Sequence, residues 1–137
     1  MHLIGLCGRD LAAQNVSAVF LREHYAFEWA LFHATGSHAS DLIARSVAQY
    51  RQTRIPGVVI GAVASEALAA AIRAEGGQIW HVWTPPSRMA SGFAGYTVDT
   101  GIVPRGEDRG ILNDGTEADL ARRVDQLLHE REAKAAA

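Results

Sequence analysis

The chain has 137 residues, 48% of them apolar and 20% charged, which is enough for one hydrophobic core and too little for a second folded domain. A net charge of −2 and a pI near 6.3 give no electrostatic reason to expect nucleic acid or a membrane surface as a partner. No apolar run reaches the ~18 residues of a membrane span, and His2 to Ile4 are not expected to open a signal peptide. The single cysteine, Cys7, excludes an internal disulfide framework and a cysteine-rich zinc site, so a cytoplasmic protein is expected.

In chain order, Leu3 to Cys7 is a short apolar run ending at Gly8, the pattern of a buried strand. Asn15 to His24 carries Val16, Val19, Phe20 and Glu23 at helical spacing, with Asn15 as the expected N-cap. Phe27 to His33 is a second strand candidate, and Ser37 to Tyr50 a helix with Leu42, Ile43, Val47 and Tyr50 on one face. Pro56-Gly57 breaks the chain before the strand Val58 to Gly61. The alanine-rich stretch Ser65 to Glu75 predicts a helix stopped by Gly76-Gly77. Ile79 to Trp83 is the fourth strand, closed by Pro85-Pro86. Residues 84–108 show no sustained period and predict a long loop, with a short piece of strand at Tyr96 to Val98. Gly110 to Leu112 is the last strand. Asn113 to Thr116 forms a turn and cap, Glu117 to about Glu132 the closing helix, and the alanine-rich tail is expected to fray.

This alternation of strands and helices, with no linker and no internal repeat, predicts a single α/β domain over residues 1–137: a three-layer parallel sheet of about five strands with helices on both faces. Ligands of such folds sit at the carboxyl ends of the strands, here the loops at 8–14, 33–37, 61–65 and 84–108. The first of these loops is where a phosphate-binding G-x-x-x-x-G-K-[ST] loop would lie, with backbone N–H groups around the phosphates, lysine as the cation and a hydroxyl on magnesium. The stretch Gly8-Arg9-Asp10-Leu11-Ala12-Ala13-Gln14-Asn15 keeps the first glycine. It has Ala13, Gln14 and Asn15 at the second glycine, the lysine and the hydroxyl residue.

The segments HLIGLCG, PGVVIGAV, AAAIRAEGGQIWHV and DRGILNDGTEADLARRVDQLL together resemble the deoxynucleoside monophosphate kinase family of P-loop proteins, often phage-encoded. The resemblance implies a P-loop NTPase-like fold and a nucleotide site at Gly8, Arg9, Gln14 and Asn15, with Glu66 opposite. The family's working residues do not carry over. Its acidic residue after the second strand falls at about Ala34. Its DVRFENE run reads Ala62 to Leu68 here, leaving one carboxylate, Glu66. Its Arg-Pro-Gly stretch has become Thr84-Pro85-Pro86, and between 33 and 55 the chain lacks the family's substrate-binding insert. Phosphoryl transfer rests on positioning and cationic stabilisation, and Gln14 in place of lysine removes the main protein cation. Asp10 adds a charge that repels phosphate by about 4 kcal/mol at ~4 Å and an effective dielectric near 20.

Three functions follow. The first is a catalytically degenerate kinase-like protein, of phage descent as the resemblance implies, kept to bind a nucleotide or a protein partner, with a homodimer among the options. The second is a working deoxynucleoside monophosphate kinase using ATP and magnesium, with Arg9 and Arg88 or Arg105 as phosphate cations. The third is an interaction protein unrelated to nucleotides, acting through the 84–108 loop. Elsewhere the residues predict bland roles. The six histidines lack metal-site spacing, although His33 and His38 could converge at the sheet edge. Cys7 is expected to be a small buried hydrophobe and His81 a packed or edge residue. At least one of Trp29, Trp80 and Trp83 should be core. Arg105, Asp108 and Arg109 should form a solvated rim, Asp114, Thr116 and Glu117 turn and cap chemistry, and Arg122-Arg123 a solvated helix face.

Overall fold

The computed structural model describes residues 1–33, 36–89 and 101–136. Strands β1 (His2–Cys7), β2 (Glu28–Leu31), β3 (Gly57–Gly61), β4 (Gln78–Trp83) and β5 (Arg109–Leu112) alternate with helices α1 (Leu11–Tyr25), α2 (His38–Gln52), α3 (Glu66–Ala74) and α4 (Glu117–Ala136). The strands form one sheet in the order β2-β3-β1-β4-β5, every neighbouring pair parallel, as the alternating pattern predicts.

The layers follow from which residues each strand turns to each face. Leu3, Cys7, Val58, Ile60 and Ile79 pack with Ile43 and Val47 of α2 and with Leu68 and Ile72 of α3. Ile4, Leu6, Val59, Trp80, Val82 and Ile111 pack on the other side with Leu21 of α1 and Leu120, Val124 and Leu128 of α4. Each such aliphatic side chain, fully withdrawn from water, stabilises the fold by roughly 1.5–3 kcal/mol. Trp80 is fully buried and Trp83 is 57% exposed, which assigns core and surface among the tryptophans.

Several boundaries differ from the sequence expectation, each for a local reason. The first helix starts at Leu11, because Asp10 rather than Asn15 is its N-cap and accepts the Ala13 N–H. β2 is only Glu28–Leu31, since Phe27 turns under Gly57 and stacks with the His2 ring. Helix α3 begins one residue after Ser65, whose hydroxyl accepts the Leu68 N–H, and ends where Gly76 adopts φ +81°. α4 does not fray at Glu132 but runs to Ala136, supported by the good helix propensity of alanine and by a Lys134–Glu107 ion pair at 2.5 Å. Thr116 and Asp119 cap its start reciprocally, each side chain accepting the other's backbone N–H. In the long β4–β5 connection, Pro86–Arg88 forms a 3-10 turn; the expected strand at Tyr96 to Val98 lies outside the described residues. Among the described residues no helix is long and apolar enough to cross a membrane.

Candidate functional site

The central strand β1 leads through a three-residue turn, Gly8-Arg9-Asp10, into α1 at the carboxyl edge of the sheet. Gly8 sits at φ +134°, and a Cβ there would fall on the Val82 carbonyl oxygen of β4, so glycine is required. The turn is too short for a wide phosphate-cradling loop, because Leu11 to Gln14 are already helical. Sliding the motif so that Gly5 becomes its first glycine puts Asp10, Leu11 and Ala12 at the glycine, lysine and hydroxyl positions. Neither register supplies a lysine.

What fills the site is the chain's own polar groups. Asp10 Oδ1 accepts the Ala13 N–H at 3.1 Å, and Oδ2 accepts the Thr84 hydroxyl at 2.7 Å. Asn113 Nδ2 donates to the same hydroxyl oxygen at 3.0 Å, and the Asn113 N–H bonds the Trp83 carbonyl at 2.7 Å. Asp10 thus puts a negative charge at the helix N-terminus, where the macrodipole favours one. Gln14 is 2% exposed, and both ends of its amide are engaged: Nε2 donates to the Gly8 carbonyl and Oε1 accepts the Ala62 N–H, each at 2.9 Å. The residue standing where the motif wants a lysine therefore ties the first turn to the exit of β3. Arg9 and Asn15 are exposed at this edge.

Glu66 opens α3 but turns toward another cluster. Its Oε1 pairs with Arg73 at 2.9 Å and Arg105 at 3.5 Å, while Oε2 is buried with no hydrogen-bond partner. Arg73 also holds Asp108 through two contacts, at 3.2 and 2.6 Å, and reaches the Val103 carbonyl. Asp108 is no solvated rim residue. Its side chain is 3% exposed and also takes the His81 Nε2 at 2.9 Å and the Arg105 backbone N–H at 3.0 Å. Burial works against its charge, but the Arg73, His81 and Arg105 donors outweigh it and hold the carboxyl down at about 2.

Of the two roles expected for His81, packed or edge, it takes the packed one. It lies on β4 inside the sheet, with Nδ1 at 3.2 Å from Cys7 Sγ on β1. Cys7, His81 and Asp108 thus form a thiol–imidazole–carboxylate chain of the kind that activates a cysteine nucleophile. Here it does not activate one. Cys7 is 2% exposed, and burial, with the Asp108 charge adding to it, pushes the thiol up to about 12. With Nε2–H donating to Asp108, Nδ1 is left to accept the Cys7 S–H, so the chain holds β1, β4 and the approach to β5 together. In the sequence Cys7, His81 and Asp108 stand far apart; the register Cys7↔His81 is what joins them. Among the described residues no group of three or more His, Cys, Asp or Glu side chains is placed to hold a metal ion.

Five parallel strands in this order, with the central strand turning through a glycine into the first helix, define the P-loop NTPase type of fold. Among solved structures, the chain is similar to an unliganded sugar kinase from Janibacter sp. HTCC2649 (TM-score 0.66, 10% identity, 94% of this chain and 95% of that one). It is also similar to a gluconokinase from Sinorhizobium meliloti 1021, with TM-score 0.62, 12% identity and 97% of both chains covered. A de novo designed protein of P-loop NTPase fold matches with TM-score 0.51 and 12% identity, over 94% of this chain and 90% of the design. At these identities the likeness is one of fold. No protein-family model matches the chain, and no curated protein matches it by sequence.

Proposed function

We propose that this is a P-loop-kinase-fold protein that does not transfer phosphate and works as a binding module. The observation that carries this reading is the engagement of Asp10 and Gln14. One puts a carboxylate on the N-terminus of α1, and the other spends its amide on the Gly8 carbonyl and the Ala62 N–H. A phosphate brought there meets a like charge and no lysine. The resemblance to deoxynucleoside monophosphate kinases motivates descent from such an enzyme, a phage origin and a cytoplasmic setting as parts of the same proposal.

The binding edge is the carboxyl end of the sheet, where Leu31, Trp83 and Leu112 end β2, β4 and β5 with exposed side chains. Trp83 and Leu112 are register partners, so an indole and an aliphatic group stand side by side beyond the strands. A nucleotide base or an apolar protein surface fits such a platform. The test pairs turnover with binding. Purified protein is incubated with Mg-ATP and each deoxynucleoside monophosphate, products are separated, and melting is followed with the same ligands. No diphosphate product is expected. A ligand at 100 times its Kd raises stability by about 2.7 kcal/mol, a rise of several degrees for a domain of this size. Formation of two diphosphates above the uncatalysed rate refutes the proposal and establishes the kinase.

A further inference from the structure

At the opposite, amino edge of the sheet, a cleft of about 630 Å³ opens between the starts of β1 and β4 and the end of α4. Its lining includes His2, Gln78, Glu107, Arg131, Glu132 and Lys134, and a smaller cavity of about 270 Å³ adjoins it across Gln78, Glu107, Arg131 and Lys134. The volume is that of a small-molecule site.

Of the acids around the cleft, Glu107 and Glu130 are already paired, while Glu132 faces a His2 ring whose pKa burial lowers. Glu107 holds Lys134 at 2.5 Å, Glu130 holds Arg109 at 2.5 Å, and Glu132 lies 3.6 Å from His2. Gln78 spends both ends of its amide, donating to the Glu107 carbonyl and accepting the Trp80 indole N–H. Arg131 differs. Half-buried, its guanidinium donates to the Gly76 carbonyl at 2.9 Å and makes no ion pair among the described residues. Burial depresses its pKa, offset in part by the Glu107 charge. Arg131 lines both cavities, and a planar guanidinium fork is suited to a two-oxygen anion.

We propose that Arg131 and this cleft form a binding site for a small organic anion, held through a carboxylate or a phosphate group. The site is separate from the carboxyl edge and does not depend on how that edge is used. The test titrates the protein with succinate and, separately, inorganic phosphate, with sodium chloride adjusted to constant ionic strength. The Arg131 side-chain Nε–H resonance is followed by NMR alongside the melting temperature.

A saturable shift of that resonance with either probe, and a Kd weakened roughly tenfold in Arg131→Gln, supports the site. Which probe binds assigns the carboxylate or phosphate class, and Arg131→Lys should bind between wild type and Arg131→Gln. An unmoved Arg131 resonance, a response no larger than that to chloride, or shifts confined to residues 8–13 overturns the proposal. Because the resonance is read in the wild-type protein, the test survives even if a variant fails to fold.

Discussion

The Asp10 carboxylate and the Thr84 hydroxyl meet at 2.7 Å, joining the cap of α1 to the residue that follows β4. Asp10→Ala removes both that bond and the cap on Ala13, and is expected to cost about 1–2 kcal/mol in urea unfolding. Asp10→Asn keeps a capping oxygen and deletes the charge, so it should cost less than about 1 kcal/mol. If Asp10 guards the helix end electrostatically, Asp10→Asn also binds triphosphate more tightly than wild type. Unchanged binding would show that the shape of the short turn, and not its charge, keeps phosphate away.

Gln14→Leu strands the Gly8 carbonyl and the Ala62 N–H without their partners. The expected loss is about 2–4 kcal/mol, from two unsatisfied backbone groups in a nearly buried setting. Gln14→Lys should lose a comparable amount and gain no turnover by itself, because the turn ahead of it stays three residues long. Kinase activity in that single variant would show that a competent loop lies one substitution away.

Asp108 is the enclosed acceptor shared by Arg73, His81 and the Arg105 N–H, and removing it leaves Arg73 ion-paired with Glu66 alone among the described residues and the other donors without their acceptor. Asp108→Ala is expected to cost about 2–4 kcal/mol, measured by denaturant unfolding, from the donors left without their shared acceptor. The pH dependence follows from the carboxyl being held at about 2, below its ordinary 3.8. A lowered folded value means stability that is complete above about pH 4 and is lost as pH falls toward 2. Asp108→Asn should therefore show a flatter melting curve against pH in that window than wild type. Parallel slopes would mean that other carboxylates govern the acid limb.

The buried Cys7 thiol should resist modification. With a disulfide reagent at pH 8, labelling of the native protein is expected to be at least about a hundredfold slower than in denaturant. Cys7→Ser keeps a donor for His81 Nδ1, while Cys7→Ala removes it, so serine should be the milder change if the hydrogen bond matters more than apolar packing. Rapid labelling of the folded protein would contradict the protonated, enclosed thiol.

Much of the architecture was legible because period and punctuation agree. Alternating short apolar runs and amphipathic stretches fix the parallel sheet, and Gly76 and Pro56 mark real breaks. The start of α1 was misplaced because apolar spacing becomes clear only at Val16, whereas the helix is nucleated by a single side-chain acceptor at Asp10. The candidate loop was found by its first glycine, but what occupies it depends on Thr84 and Ala62, which lie 74 and 48 residues from their partners Asp10 and Gln14. The Cys7–His81–Asp108 chain was illegible for the same reason: its members are ordinary until strand register puts them side by side.

The placement of β1 bears on how the protein is made. β1 precedes every other strand of its sheet in the chain, yet it ends up in the middle, between β3 and β4, with His2 paired to Gly57 and Cys7 to His81. It has no partner on either side until about fifty residues have followed it, and no cover from α4 until more than a hundred have. The apolar Leu3-Ile4-Gly5-Leu6-Cys7 segment therefore waits for β3 to gain its first partner and for β4 to gain its second. Such a delay makes a half-made chain the species most in need of a chaperone, and makes the last helix the step that ends its exposure.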